Sequence, residues 1–315
     1  MREYTIRRIL LVPLTLFLVT IFVFSVVRLL PGDVVTILLR DSDFTEEDRL
    51  RELERLGFAK PVHEQYITWM SNIFRGDMGK SLWCGRPVFG ELQQKLPVTL
   101  ELAALAIFFA MLMGIPIGII SAIRQDTSFD YFFRSIAIGG LSVPGFWLAT
   151  MFVVFAGLWF RWIPPVRYVA FFDNPLANIQ QFIMPAFLLG INFSAAMMRM
   201  TRTTMLEVLR QDYIRTAWAK GLTERVVLYR HSLKNALIPV VTILGVELAQ
   251  VIGGSVIMET IFGLPGIGKF MFQVIGVRDY PAVQGINLLV ASFILFINLL
   301  VDLSHGYLDP RIRFQ

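Results

Sequence analysis

Long apolar runs alternate with polar stretches along the chain, and their lengths set the first expectation. A helix needs about 20 mainly apolar residues to cross a bilayer. Six stretches fit: residues 9–30, 98–122, 135–160, 182–198, 237–258 and 283–303. Most charges in them sit near the ends: Arg28 in the first, Glu101 in the second and Asp302 in the sixth. Glu247 alone lies deep, and the fourth run is the least apolar because Asn192 and Ser194 interrupt it. Composition agrees. The chain is 55% hydrophobic and 17% charged, where soluble domains carry about 25% charged residues. A mean hydropathy of +0.61 excludes disorder and argues against a single soluble core. The lone Cys84 excludes an internal disulfide framework and the usual cysteine-based metal sites.

Charge placement orients the spans. The start carries Arg2, Arg7 and Arg8 against Glu3. Between the fourth and fifth runs, Arg199, Arg202, Arg210, Arg215, Lys220, Arg225, Arg230 and Lys234 face only Glu207, Asp212 and Glu224. Basic excess marks the cytoplasmic side, so the N-terminus and the 199–236 loop are expected there. An even number of spans returns the C-terminus to the same side. The first run is read as an uncleaved anchor, because it is long and ends in Val27-Arg28-Leu29-Leu30-Pro31 without a small-residue cleavage site. The chain then divides into residues 1–30, an extracytoplasmic segment 31–97 and a core 98–315. The net charge of +5 gives no ground for nucleic-acid binding.

In the outer segment, Pro31-Gly32-Asp33 signals a turn. A helix is expected over about 45–56, capped by Asp43 or Thr45 and stopped by Gly57, and a second over about 61–74 from Pro61. The segment reads either as a connector or as a docking surface for a soluble partner. Gly79-Lys80-Ser81 imitates the end of a phosphate loop, but Phe74 stands where that loop needs its first glycine. Neither a Gly-x-Ser-x-Gly elbow nor a His-Glu-x-x-His helix is present, and His63, His231 and His305 are scattered. Catalysis, a metal and a cofactor in this chain are therefore not expected.

An acid inside a membrane is expensive and faces the bundle interior or a water-filled path. Ile243, Gln250, Val251 and Gly254 share the helical face of Glu247, and Gly253 and Gly254 permit close helix approach. Two readings stand: a polar point on a solute path together with Gln250 and Asn192, or a structural acid that is either hydrogen-bonded between helices or protonated. Downstream, residues 211–221 read as a short helix ending at Gly221, followed by a helical stretch over about 223–235, with Pro239 in the first turn of the fifth span. Such a helix–glycine–helix elbow suits mechanical transmission, although charge alone would also describe a solvated loop.

Colinear motifs along the whole chain carry a resemblance. Arg28-Leu29-Leu30-Pro31-Gly32-Asp33, Gly76-Asp77-Met78-Gly79-x-Ser81 and Leu96-Pro97-Val98-Thr99-Leu100-Glu101-Leu102 are followed by Ser142-Val143-Pro144-Gly145-Phe146-Trp147-Leu148. Then come Asp212-Tyr213-Ile214-Arg215-Thr216-Ala217 with Ala219-Lys220-Gly221-Leu222, and Ile238-Pro239. Glu259-Thr260-Ile261-Phe262 with Pro265-Gly266-Ile267-Gly268, and Asp309-Pro310-Arg311-Ile312-Arg313, complete the set. Together they resemble the permeases of the dipeptide/oligopeptide/nickel family of ABC importers, in particular the B-type subunit with its long outer segment. The elbow resembles that family's EAA loop, with Thr216-Ala217-Trp218 where Glu-Ala-Ala stands in the general pattern. Thr216 lacks the general acid, and Trp218 departs from the small or basic residue expected there.

The resemblance implies an all-α fold of six transmembrane helices, the type I ABC importer permease fold, in a bacterial cytoplasmic membrane. It implies pairing with a second homologous permease, two ATPase subunits that hold ATP and Mg, and an extracytoplasmic substrate-binding protein. Tyr213, Ile214, Arg215, Thr216, Ala217, Trp218, Lys220 and Gly221 would form the ATPase-coupling surface. The 260–282 loop, where Gly263, Pro265, Gly266 and Gly268 are expected to break the helix, would re-enter toward the path or meet the docked binding protein through Pro265, Gly266, Phe270 and Met271. Peptides are the implied cargo, with nickel chelates, glutathione or oligosaccharides as alternatives. A stand-alone secondary carrier is the competing class, but no internal repeat is visible in the sequence.

Overall fold

The structure, a computed structural model, describes residues 2–29, 34–35, 45–165 and 167–308. The expected turn at 31–33, the alternative cap Asp43 and the motif at 309–313 lie outside the described residues. Helix α1 spans Arg2–Leu29, α2 Glu46–Arg55 and α3 Val62–Phe74. The outer pair is as expected. Thr45 caps α2 in a reciprocal box with Asp48, and Gly57 follows the helix at φ +76, a left-handed conformation that glycine adopts without strain.

Helix α4 spans Val88–Ile123 and α7 spans Pro175–Leu209; between them α5 covers Ser128–Ser142 and α6 Gly145–Phe160. Three expectations change here. The second span starts ten residues early, at Val88 rather than 98. The third is not one rod: α5 and α6 meet at 92° across Ser142-Val143-Pro144. Proline disfavours helical backbone in the residue before it, and Val143 is extended at φ −92, ψ 121. The fourth run, the least apolar, is one of the longest helices, and Arg199 and Arg202 belong to it rather than to a loop. Asn174 caps α7, accepting from Ala177 N–H at 3.1 Å, with Pro175 in the first turn. The helix then continues because Met197, Met198, Thr201 and Met205 extend its buried stripe.

Helices α4 and α7 form the centre by close backbone approach. A Cβ on Gly114 would lie 2.8 Å from Ser194 O, one on Gly118 would lie 2.7 Å from Thr201 Cβ, and one on Gly190 would lie 2.8 Å from Ala106 O. Small residues at a crossing let apolar helices pack without a hydrophobic driving force from lipid. Arg202 on α7 grips Asp130 on α5 through both guanidinium edges, Nε to Oδ1 at 2.7 Å and Nη2 to Oδ2 at 2.6 Å. Ser121 of α4 also donates to Asp130.

Beyond α7, α8 spans Asp212–Ala219 and α9 Glu224–Val226, which passes through a π-helical stretch, Val227–Ser232, into α10, Leu233–Ile261. The helical stretch expected over about 223–235 runs on into the fifth span. Pro239 lies inside α10 rather than in its first turn. Helix α11 spans Ile267–Gly276 and α12 Tyr280–Leu308. Arg8 pairs with Asp302 at 3.0 Å, joining α1 to α12. Toward the other end of α1, Thr20 Oγ1 and Tyr66 Oη lie 2.8 Å apart, and Arg28 donates to Gln65 Oε1 from Nε at 3.1 Å and Nη2 at 2.8 Å. Helix α3 is thus bonded to the first span.

Candidate translocation groove and coupling elbow

The break between α5 and α6, the middle of α7 and the middle of α10 enclose a groove. One cavity of about 340 Å³ is lined by Leu141, Asn192, Phe193, Ile243, Glu247 and Gln250, among others. A second of about 460 Å³ shares Asn192, Phe193 and Gln250 and extends past Gly145 and Phe146. Gly145 opens α6, and a Cβ there would lie 2.8 Å from Asn192 Nδ2, so the break gives the Asn192 amide its place. The three residues expected on a solute path therefore meet in one groove. Glu247 is 4% exposed, and neither of its carboxylate oxygens has a hydrogen-bond partner among the described residues. The interhelical hydrogen bond of the structural reading is not formed.

The turn between α10 and α11 is organised by a residue that sequence alone did not single out as a site. Glu259, near the end of α10, is 0% exposed. Its Oε1 accepts from Thr99 Oγ1 at 2.6 Å and Ser255 Oγ at 3.0 Å, and its Oε2 accepts from Lys269 N–H at 2.8 Å. Thr99 in turn accepts from Ile267 N–H at 2.8 Å. The carboxylate thus serves the N-terminus of α11, where unpaired N–H groups favour negative charge. Gly266 is bare because the Glu259 carboxyl occupies the place of a side chain. Gly268 does not break helix as expected. It sits in α11, and a Cβ there would meet Val256 Cα at 2.7 Å. Phe270, expected to contact a docked protein, is 1% exposed and belongs to the core with Val88, Leu92 and Ile286. Pro265 and Met271 are half-buried, and Phe272 is the exposed aromatic of this helix. An acid closing an apolar span just before a Gly-x-Pro-Gly turn was the signal available for Glu259.

Asp279 is a second buried acid that sequence alone did not single out. Its Oδ2 accepts from Ser81 Oγ at 2.5 Å and Trp83 N–H at 3.1 Å, and its Oδ1 accepts from Ala282 N–H at 3.1 Å at the start of α12. The Gly79-x-Ser81 motif that imitates a phosphate loop is therefore a clasp between the outer segment and α12.

On the basic side, α8 ends as expected, with Gly221 at φ +74. Ile214 and Ala217 are buried against Val227, Val208, Leu209 and Leu222. Ile214 and Ala217, both expected on the coupling surface, instead anchor the elbow to its own chain. Tyr213, Arg215, Thr216, Trp218, Lys220 and Gly221 are exposed. Asn235 Nδ2 donates to Tyr213 Oη at 2.8 Å, which ties α8 to α10.

The described residues form a helical bundle with five helices long and apolar enough to cross a membrane, or six if the bent α5–α6 pair is one span, together with an exposed basic elbow and a polar groove. Residues 114–314 match the family model of the binding-protein-dependent transport system inner membrane component, and residues 1–103 match that of its N-terminal part. The chain belongs to this family and is a multi-pass permease subunit. It is 40% identical to the dipeptide transport system permease protein DppB of Alkalihalophilus pseudofirmus, and 37% identical to DppB of Escherichia coli, over 100% of each chain. The di/tripeptide permease DppB of Pseudomonas aeruginosa is also 37% identical over 100% of both chains. The fold is shared with a chain of the inward-facing MetNI methionine ABC transporter at TM-score 0.55 and 19% identity, covering 70% of this chain and 96% of that one. Family membership sets the lone-carrier reading aside.

Proposed function

We propose that this chain forms half of the membrane path of an ATP-driven peptide importer. It pairs with a second permease, receives di- or oligopeptides from an extracytoplasmic binding protein, and is driven by two ATPase subunits that hold ATP and Mg. The observation that carries the reading is the elbow: Ile214 and Ala217 bury one face of α8, while Tyr213, Trp218, Arg215 and Lys220 leave the other face open. A helix fixed on one side and bare on the other, packed through Ile214 on Val227 and tied through Tyr213 to Asn235 of α10, transmits a push from a docked ATPase to the Glu247 groove as a rigid element. The basic excess around it supports a cytoplasmic elbow and cytoplasmic termini. Full-length similarity to dipeptide permeases supports peptide as cargo. At the outer face, Phe272 and Pro265 present the contact with the binding protein, since Phe270 and Gly266 are engaged within the chain.

Co-expression with a second permease and the two ATPases tests the reading. A purified four-subunit complex that imports labelled dipeptides only with ATP and its binding protein is expected. Import by the lone chain, or import of a nickel chelate or glutathione in place of peptides, would overturn it.

A further inference from the structure

The Glu247 carboxylate has a defect of chemistry that the fold does not repair. A buried charge or unpaired acid is costly in an apolar setting unless a partner meets it. Glu247 is within the bundle, its two oxygens have no hydrogen-bond partner among the described residues, and it lines a cavity of about 340 Å³. The side chains around that cavity from α5, α7 and α10 provide no cation: Leu141, Phe193, Ile243 and Val246 are apolar, and Asn192 and Gln250 are neutral amides. Among the described residues, no positive group of this chain lines the cavity with Glu247. The adjoining cavity of about 460 Å³ adds Phe146 and Met258 beside the same two amides. Each volume falls within the roughly 300–1,000 Å³ of small-ligand sites.

These groups match the parts of a short peptide. We infer that Glu247 is the binding group for the α-ammonium of a peptide in transit, with the Asn192 and Gln250 amides meeting the first peptide bond and Phe146 and Phe193 taking its side chains. An ammonium carries three donors and no acceptor, which suits an acid with unfilled lone pairs. An amide both donates and accepts, so Asn192 and Gln250 can serve a peptide bond in either orientation. The site reads the end of the peptide that every sequence shares and leaves side-chain identity to apolar contact. It therefore suits a path that passes many peptides but rejects those with a blocked N-terminus. The inference rests on the peptide-importer reading and deepens it.

The test uses the complete transporter, with the second permease and both ATPases, in lipid nanodiscs. Two probes separate the ends of the ligand: dialanine amide keeps the ammonium without a carboxylate, and N-acetyl-dialanine keeps the carboxylate without an ammonium. Saturation-transfer NMR should show at least about tenfold tighter binding of the first. Glu247→Gln should abolish that preference and, in proteoliposomes supplied with binding protein, lower dialanine uptake about tenfold or more. Glu247→Asp should keep the preference. Equal binding of the two probes by the native complex, or an undiminished preference in Glu247→Gln, overturns the inference. A Glu247→Gln complex that loses its second permease assigns the carboxylate to a cation of that subunit and also overturns it. If the native complex imports no peptide, the importer reading itself fails; peptide import unaltered by Glu247→Gln overturns only the inference.

Discussion

Thr99 and Glu259, 160 residues apart in sequence, are joined by a hydrogen bond of 2.6 Å in the buried interior. Through it the second span, the end of the fifth and the N-terminus of α11 become one unit. Removing the acid strands Thr99 and the Lys269 amide together. Each orphaned buried donor costs about 1–3 kcal/mol, so Glu259→Ala should lower the thermal midpoint of the detergent-purified protein markedly. Glu259→Gln, which keeps an acceptor, should lower it less. Gly266→Ala should resemble Glu259→Ala, because its methyl would displace the carboxyl. Equal midpoints for all three and the native chain would contradict the clasp.

The Arg202–Asp130 fork makes a second, independent prediction. Asp130 is buried, and both oxygens accept from one guanidinium. Breaking a buried pair by removing one partner costs about 3–5 kcal/mol. Asp130→Ala and Arg202→Ala should each reduce folded yield strongly. The double variant should lose less than the sum, since it strands no charge. Fluorescence-detected gel filtration after a temperature series measures this, and additive losses would argue against the pairing.

Folding and docking should separate within α8. Ile214 packs in a buried cluster, whereas Trp218 is 45% exposed. Ile214→Ala should destabilise the chain by about 2–5 kcal/mol. Trp218→Ala should leave stability within about 0.5 kcal/mol yet weaken ATPase capture by about 2 kcal/mol if the aromatic is an interface anchor. Pull-down with the ATPases beside thermal melts distinguishes the two, and normal capture by Trp218→Ala would remove that face from the proposed contact.

Gly221 occupies the left-handed region with open space around it. A side chain there meets no neighbour, so the cost is backbone strain alone, about 1–2 kcal/mol for a β-carbon. Gly221→Val should uncouple ATP hydrolysis from uptake or prevent ATPase assembly, and Gly221→Asn, which tolerates this conformation, should be milder. Native coupling in Gly221→Val would show that the elbow's shape does not matter.

Features set by local chemistry were readable in order along the chain. Run length gave the apolar helices but not the α5–α6 break or the full extent of α4 and α7; the Thr45 and Gly57 punctuation gave α2, Pro61 gave the start of α3, and Gly221 gave the end of α8. The groove residues Asn192, Glu247 and Gln250 were also visible, because polar groups in apolar helices are conspicuous. What sequence could not reveal depended on partners distant along the chain. The buried stripe Met197–Thr201–Met205 carries α7 through a stretch that charge counting reads as loop. Phe270 and Ile214 look like surface contacts until Val88 and Val227 are seen to cover them.

The same division explains the acids. Composition alone places Glu247, Glu259, Asp130 and Asp279 in or beside apolar segments, and it says nothing about which of them are satisfied. Hydrogen bonds act over about 3 Å, so their pairing is decided only when Thr99, Arg202 and Ser81 are brought in from other helices. The sequence by itself determined a helical membrane bundle, because solvation of the backbone in lipid is a local requirement that each span meets alone. Tertiary packing decided that three of those acids are clasped and one is left open to the groove, because that depends on which side chains the crossing helices bring within reach.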